Sequence, residues 1–296
     1  MANRDLLFDE DFRRRLERLV IAARRTRPGY LRGERRSPRR GHSLEFADYR
    51  PYVAGDDLRQ VDWNIYARLE RVLVKLHQAE EEWTVHLLLD TSASMDWGEP
   101  HKLTYARRTA AALGYLALAG LDRALVTMIS AGAARQSPPL RGKQRLARLL
   151  DFLATGEAAG RTDLNESLQG YAAQARPPGP LFLLSDLLSP GGCDDGLQAL
   201  TAAGYEVAVL HLLAPDEVDP PLDGALRLVD RETGQTREVA IDDRLRRAYR
   251  DHLAAWQAEL HDRCARRAIT YLAVVTDLPF DDLILTSLRR AGLVRR

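Results

Sequence analysis

With 296 residues the chain has room for one large core and a smaller appendage, because single cores stop growing near that length. Apolar residues at 45% and charged residues at 29% describe an ordinary folded protein and rule against disorder, while a net charge of +1 argues against nucleic acid as the target of the whole molecule. Cys193 and Cys264 lie far apart in no metal-ligand spacing, and the longest apolar run, Thr109 to Leu121, is too short to span a bilayer, so a cytoplasmic protein without membrane insertion is expected.

In chain order, Leu7, Phe8, Phe12, Leu16, Leu19, Val20 and Ala23 recur at helical spacing and predict an amphipathic helix from Leu6 to Arg25, ended by Pro28-Gly29. Thr26 to Gly41, rich in Arg, Gly and Pro, reads as an exposed connector. Gly41 to Glu82 reads as a small module: an extended piece near Leu44 to Val53, a turn at Gly55-Asp56-Asp57, a helical turn, and a strand through Val72-Leu73-Val74. Residues 1–82 are therefore expected to stand apart from 83–296.

Past Trp83, buried strands alternate with helices, the pattern of an α/β fold with a doubly wound, mainly parallel sheet flanked by helices. The strands are predicted at Val85–Asp90, Leu125–Ser130, Leu181–Ser185, Tyr205–Leu212 and Ile269–Val275, with an antiparallel edge near Ala133–Gln136. Helices are predicted at Lys102–Ala119, Lys143–Leu153, Leu164–Ala175, Asp194–Ala203, Arg244–Ala268 and Phe280–Arg290. Near-continuous apolar runs such as Leu87-Leu88-Leu89 indicate strands covered on both faces. Ala225 to Ile241 reads as a β-hairpin insertion turning at Glu232-Thr233-Gly234.

One motif carries chemistry. The first parallel strand runs directly into Asp90-Thr91-Ser92-Ala93-Ser94, placing Asp90, Ser92 and Ser94 in one turn at the strand's carboxyl end, where open α/β sheets bind ligands. Thr162, in Gly160-Arg161-Thr162-Asp163, and Asp186, directly after Leu183-Leu184-Ser185, arrive in loops at the same edge. Taken alone, Asp-x-Ser-x-Ser is often only a strand end followed by helix-capping residues; the two later oxygens make it a candidate site. Hydroxyls and carboxylates without His or Cys are hard donors suited to Mg²⁺ or Mn²⁺, not zinc, and an octahedral ion so held keeps a position open for a partner's carboxylate.

Asp90, Ser92, Ser94, Thr162 and Asp186 resemble the metal-ion-dependent adhesion site of von Willebrand factor A domains at all five ligand positions. The upstream residues Gly41 to Phe46, Arg50-Pro51-Tyr52, Gly55 to Arg59, Asp62-Trp63 and Ala67-Arg68 resemble the bacterial family called domain of unknown function fifty-eight. The resemblance implies a von Willebrand factor A-like, Rossmann-type fold. It also implies a role beside a MoxR-type AAA+ ATPase in assembling or remodelling client proteins.

Arg50, Arg59 and Arg68 are candidate partner-binding residues, since guanidinium groups read carboxylates bidentately. Against this stands internal pairing with Asp56, Asp57 and Asp62 to fix a module too small for a large core. Trp63 is expected in that module's core. The basic stretch Arg32 to Arg40 has few aromatics for base stacking, so nucleic-acid binding is not expected. The seven histidines show no metal-binding spacing and read as surface or satisfied core residues. No nucleophile elbow, phosphate loop or dinucleotide fingerprint is present in the sequence, so the expectation is a non-enzymatic adaptor gripping an acidic side chain through its cation. A metal-dependent phosphatase or hydrolase is the alternative.

Overall fold

Leu87, Leu88 and Leu89 send their side chains alternately to opposite faces of one strand, and all three are buried, which requires a layer of helices on each side. A computed structural model of the chain describes residues 10–22, 44–54, 56, 58, 61–79, 83–130, 133–230 and 234–295. The chain divides into two compact units, 27–82 and the remainder.

In chain order, α1 (Glu10–Leu16) and β1 (Val20–Ile21) belong to the larger unit. The smaller unit holds β2 (Leu44–Pro51), α2 (Trp63–Leu69) and β3 (Leu73–Ala79), with β2 and β3 paired antiparallel. The larger unit continues with β4 (Thr84–Asp90), α3 (Lys102–Ala119), β5 (Arg123–Ser130), β6 (Ala133–Gln136), β7 (Leu140–Arg141), α4 (Leu146–Ala154) and α5 (Leu164–Ala172). Next come β8 (Pro180–Ser185), α6 (Asp194–Ala202), β9 (Glu206–Leu213), α7 (Pro215–Val218), β10 (Gly224–Val229), β11 (Thr236–Ile241), α8 (Asp243–Arg266) and β12 (Thr270–Val275). Helical turns α9 (Phe280–Asp282) and α10 (Leu288–Arg290) flank a π-helical stretch, Leu283–Ser287, before β13 (Val294–Arg295).

The main sheet runs in the order β12-β9-β8-β4-β5-β6, with β7 also on β5. β12, β9, β8, β4 and β5 are mutually parallel, and β6 and β7 add antiparallel to β5. This is a doubly wound order, and the chain reverses direction across the sheet at β4, whose neighbours are β5 on one side and β8 on the other. One sheet face, with Leu87, Leu89, Val126 and Leu184, packs on α1, α3, α4 and the 280–290 segment. The other, with Leu88, Ile129, Leu183 and Val209, packs on α5, α6 and α8.

Several expectations need correction. The helix predicted over 6–25 is helical at Glu10–Leu16, and Val20–Ile21 instead pair with Val294–Arg295, a long-range partner that local periodicity does not reveal. Phe12, Leu16 and Leu19 are buried in the large core, with Phe12 and Phe280 rings 5.0 Å apart, so this segment belongs with the large unit rather than with residues up to 82. Burying three such side chains is worth about 1.5–3 kcal/mol each. The helix expected at Phe280–Arg290 contains the π-helical stretch instead of running as one α-helix. The connector 26–41 and the hairpin-turn residues Glu232 and Thr233 lie outside the described residues. The hairpin itself forms, with Leu226 opposite Val239.

Candidate metal centre

Asp90 ends β4 opposite the end of β8, because Leu89 pairs with Leu184 in parallel register. The two carboxylates expected from the sequence therefore leave adjacent strands at the point where the sheet order reverses, the place where such sheets hold ligands. Asp90 is 2% exposed and Asp186 1%.

The turn after β4 closes on its own carboxylate. The Ser92 amide donates to Asp90 Oδ1 at 2.9 Å, and the Ser92 and Ser94 hydroxyls lie 2.9 Å apart. Thr91 anchors the turn to β5 through its amide and hydroxyl, both donating to the Ile129 carbonyl. The loop carrying Thr162 is tied to this turn by Ala93 N–H to Gly160 O and Ala159 N–H to Thr91 O, each 2.9 Å. It is tied to the β8 loop by the Ser189 hydroxyl donating to the Thr162 carbonyl at 3.2 Å. Thr162 Oγ1 is buried without a hydrogen-bond partner. A buried, unsatisfied hydroxyl costs about 1–3 kcal/mol and calls for an explanation.

Three functional neighbours were not anticipated. The Ser185 hydroxyl donates to Asp90 Oδ2 at 2.5 Å and accepts from the Leu187 amide at 2.9 Å. Lys102, at the start of α3 and fully buried, donates to Asp186 Oδ2 at 2.7 Å and to Glu217 Oε1 at 2.6 Å. Glu217 Oε2 accepts from the Ala214 amide, and Asp186 Oδ1 from the Leu188 amide. A lysine opening a helix ordinarily reads as a solvated residue, so sequence offers no signal for this one.

Burial, and then the nearby Asp186 charge, push the Asp90 carboxyl up to about 6, against the donors Ser185 and Ser92. Three carboxylates (Asp90, Asp186, Glu217) and one ammonium leave two negative charges, the charge a divalent cation would balance. Hard oxygens, an orphaned buried hydroxyl and this charge balance fit Mg²⁺ or Mn²⁺. Among the described residues no group of three or more His, Cys, Asp or Glu side chains is arranged to hold a metal.

In the small unit, Arg50 is paired within the chain. Its guanidinium grips Asp56 bidentately at 2.6 and 2.7 Å, holding the Asp56 carboxyl down at about 2, which is the internal pairing weighed from the sequence. Arg59 lies outside the described residues, and Arg68 is exposed in the last turn of α2. Asp62 caps α2 and accepts from the Tyr49 hydroxyl at 2.9 Å. Trp63, expected in the core, is 55% exposed and meets Tyr66 edge-on at 6.1 Å: the two strands and one short helix among the described residues of this unit have too little interior to enclose an indole.

His86 and His211 are fully buried core residues. His86 Nδ1 lies 2.7 Å from the Tyr171 hydroxyl and Nε2 3.2 Å from the Pro177 carbonyl, and His211 Nδ1 lies 2.6 Å from the Tyr271 hydroxyl. Burial lowers both to about 4. The unfolded chain takes up these protons near pH 6.5, before the fold can, so the stability they support is complete above 6.5 and lost as pH falls toward 4. Each is worth up to about 3 kcal/mol over that window. Asp90, with its raised value, works in the opposite direction but counts once. The melting temperature of metal-free protein is therefore expected to fall between pH 6.5 and 4.5, and one that stays level would contradict this reading.

A family model described as "Protein of unknown function DUF58" matches residues 48–259. An uncharacterized protein of Mycobacterium tuberculosis is 32% identical over 251 residues, 83% of this chain and 78% of that protein. An aerotolerance-related membrane protein from Bacteroides fragilis, in a form with multiple mutations to serines, superposes with a TM-score of 0.43 at 18% identity, over 71% of this chain and 98% of that one. The SpRpn10 VWA domain superposes at 0.38 and 9% identity, over 69% and 94%. Among the described residues no helix is long and apolar enough to cross a membrane.

Proposed function

The chain belongs to the DUF58 family, and from that premise we propose that it is a divalent-cation-dependent protein-interaction module. Asp90, Ser92, Ser94, Thr162 and Asp186 would hold Mg²⁺ or Mn²⁺. When bound, the ion supplies an electrophilic position that a partner's carboxylate can fill. The observation that carries the reading is the buried Thr162 hydroxyl, left without a partner in a loop hydrogen-bonded to both the Asp90 turn and the β8 loop.

The residues divide the work. Asp90 and Asp186 provide the negative charge, and the amides of Ser92 and Leu188 and the Ser185 hydroxyl hold those carboxylates in place. Lys102 neutralises part of the acidic cluster, so an added cation is not fully quenched by its surroundings. The family resemblance supplies the partner class: a MoxR-type AAA+ ATPase or its client, with this chain as a non-enzymatic adaptor or co-chaperone in the cytoplasm. Two free, buried cysteines agree with a reducing compartment.

Capture of the cognate ATPase or client by purified protein is expected to require Mg²⁺ or Mn²⁺ and to vanish with chelator. Thr162→Val should weaken that capture while leaving metal-free stability unchanged or slightly higher, because it replaces an unsatisfied hydroxyl with a methyl group. Capture indifferent to chelator would exclude the reading.

A further inference from the structure

The hairpin β10–β11 lies outside the main sheet, pairs among the described residues only with itself, and has no fully buried strand residue. Its apolar side chains nevertheless converge: Leu228, Val239 and Ile241 face Leu245 of α8 across a cleft of about 700 Å³. The same cleft is lined by Ser94, one of the five candidate cation ligands, and by Trp97 just beyond it. Leu228 is 42% exposed, Leu245 41% and Trp97 45%, so the cleft is open and its apolar side chains are reachable from solvent. Tyr249 also lines it, its hydroxyl donating to the Glu217 carbonyl at 2.6 Å.

We propose that this cleft is the second half of the partner site: it takes a bulky apolar side chain from a partner polypeptide whose neighbouring Asp or Glu sits on the cation. The inference rests on the cation reading above and adds the chemistry of the partner. Continuity at Ser94 ties the two halves together, since this residue lines the cleft and is one of the candidate cation ligands. The occupant is a polypeptide because, among the described residues, each hairpin strand pairs on one edge, and the other edge of each offers backbone N–H and C=O groups that an extended chain can pair with and a small amphiphile cannot. Neither half alone needs to bind tightly; joined on one segment they reinforce each other.

The probes are fluorescein-labelled hexapeptides holding one Glu and one Leu, in either order and zero to three glycines apart, with Glu→Gln and Leu→Ser counterparts. Anisotropy is read with the full chain in Mg²⁺ and in chelator. One spacing is expected to bind at least about tenfold tighter than both counterparts, and only in Mg²⁺. Leu228→Ser, an exposed position that should not disturb folding, is expected to reduce that peptide to the affinity of its Leu→Ser counterpart without changing Mn²⁺ affinity; Leu245→Ser serves as an independent second variant.

Metal-dependent binding that ignores the leucine overturns this inference and leaves the cation reading standing. Leucine-dependent binding that ignores Mg²⁺ and the Glu→Gln change overturns the link between cleft and cation. Equal binding at every spacing, with octanoate displacing all peptides, identifies a small amphiphile and overturns the polypeptide assignment, as does no binding by any peptide. Failure to bind Mn²⁺ at all is the separate result that removes the underlying reading.

Discussion

Asp90→Asn is expected to make the metal-free protein more stable at neutral pH, by up to about 3 kcal/mol. The side chain is almost fully enclosed and lies near Asp186, and its carboxyl is pushed up from an ordinary 3.8 to about 6. A carboxyl whose folded value exceeds its unfolded value favours the fold only while it stays protonated. Its penalty grows as pH rises from about 4 to about 6 and is constant above. Asparagine keeps the shape and the Oδ1 acceptor for the Ser92 amide and removes the charge. Part of the gain is lost at Ser185, whose hydroxyl now donates to Oδ2 and would face an amide nitrogen. Urea unfolding in chelator at pH 5 and pH 7.5 measures this: the variant should gain the full amount at the higher pH and roughly half of it at the lower. A variant less stable than the parent at pH 7.5 would mean that Asp90 is not strained by burial and repulsion. The trade of stability for a charged site is what binding function requires.

Lys102→Met is the second large effect, with the opposite sign. The ammonium is fully buried between Asp186 and Glu217, and removing it leaves both carboxylates without their shared cation. Breaking a buried pair from one side typically costs about 3–5 kcal/mol. Glu217→Gln added to Lys102→Met should recover part of that loss, because it removes one of the two orphaned charges. Saturating Mg²⁺ should recover more, through binding to the native state alone. Removing a positive charge beside Asp186 should also tighten Mn²⁺ binding. Chemical denaturation of the single and double variants measures the coupling; a loss below about 1 kcal/mol for Lys102→Met would place the ammonium in solvent-like surroundings.

The parallel strands were legible because their apolar runs allow no exposed face, and Asp90, Ser92 and Ser94 because a hydroxyl-rich turn directly follows one of those runs. Thr162 and Asp186 were legible only by position, each falling in a loop at the sheet's carboxyl edge. What stayed hidden depends on contacts between distant segments. Lys102 is buried because α3, the β8 loop and α7 meet around it. β1 exists because the far end of the chain supplies its partner. The hairpin could be read from its alternation, but its approach to Ser94 could not. The Arg50–Asp56 pair was legible as one of two readings of a local charge cluster.

The most direct measurement is a titration of Mn²⁺ into metal-free protein at pH 7.5, followed by electron paramagnetic resonance of the free ion, on the parent, Thr162→Val and Asp90→Asn. The account predicts a single ion per chain in the parent, weaker binding in Thr162→Val, and none in Asp90→Asn even though that variant is the more stable protein. Binding in Asp90→Asn as tight as in the parent, or no binding in the parent, would contradict it.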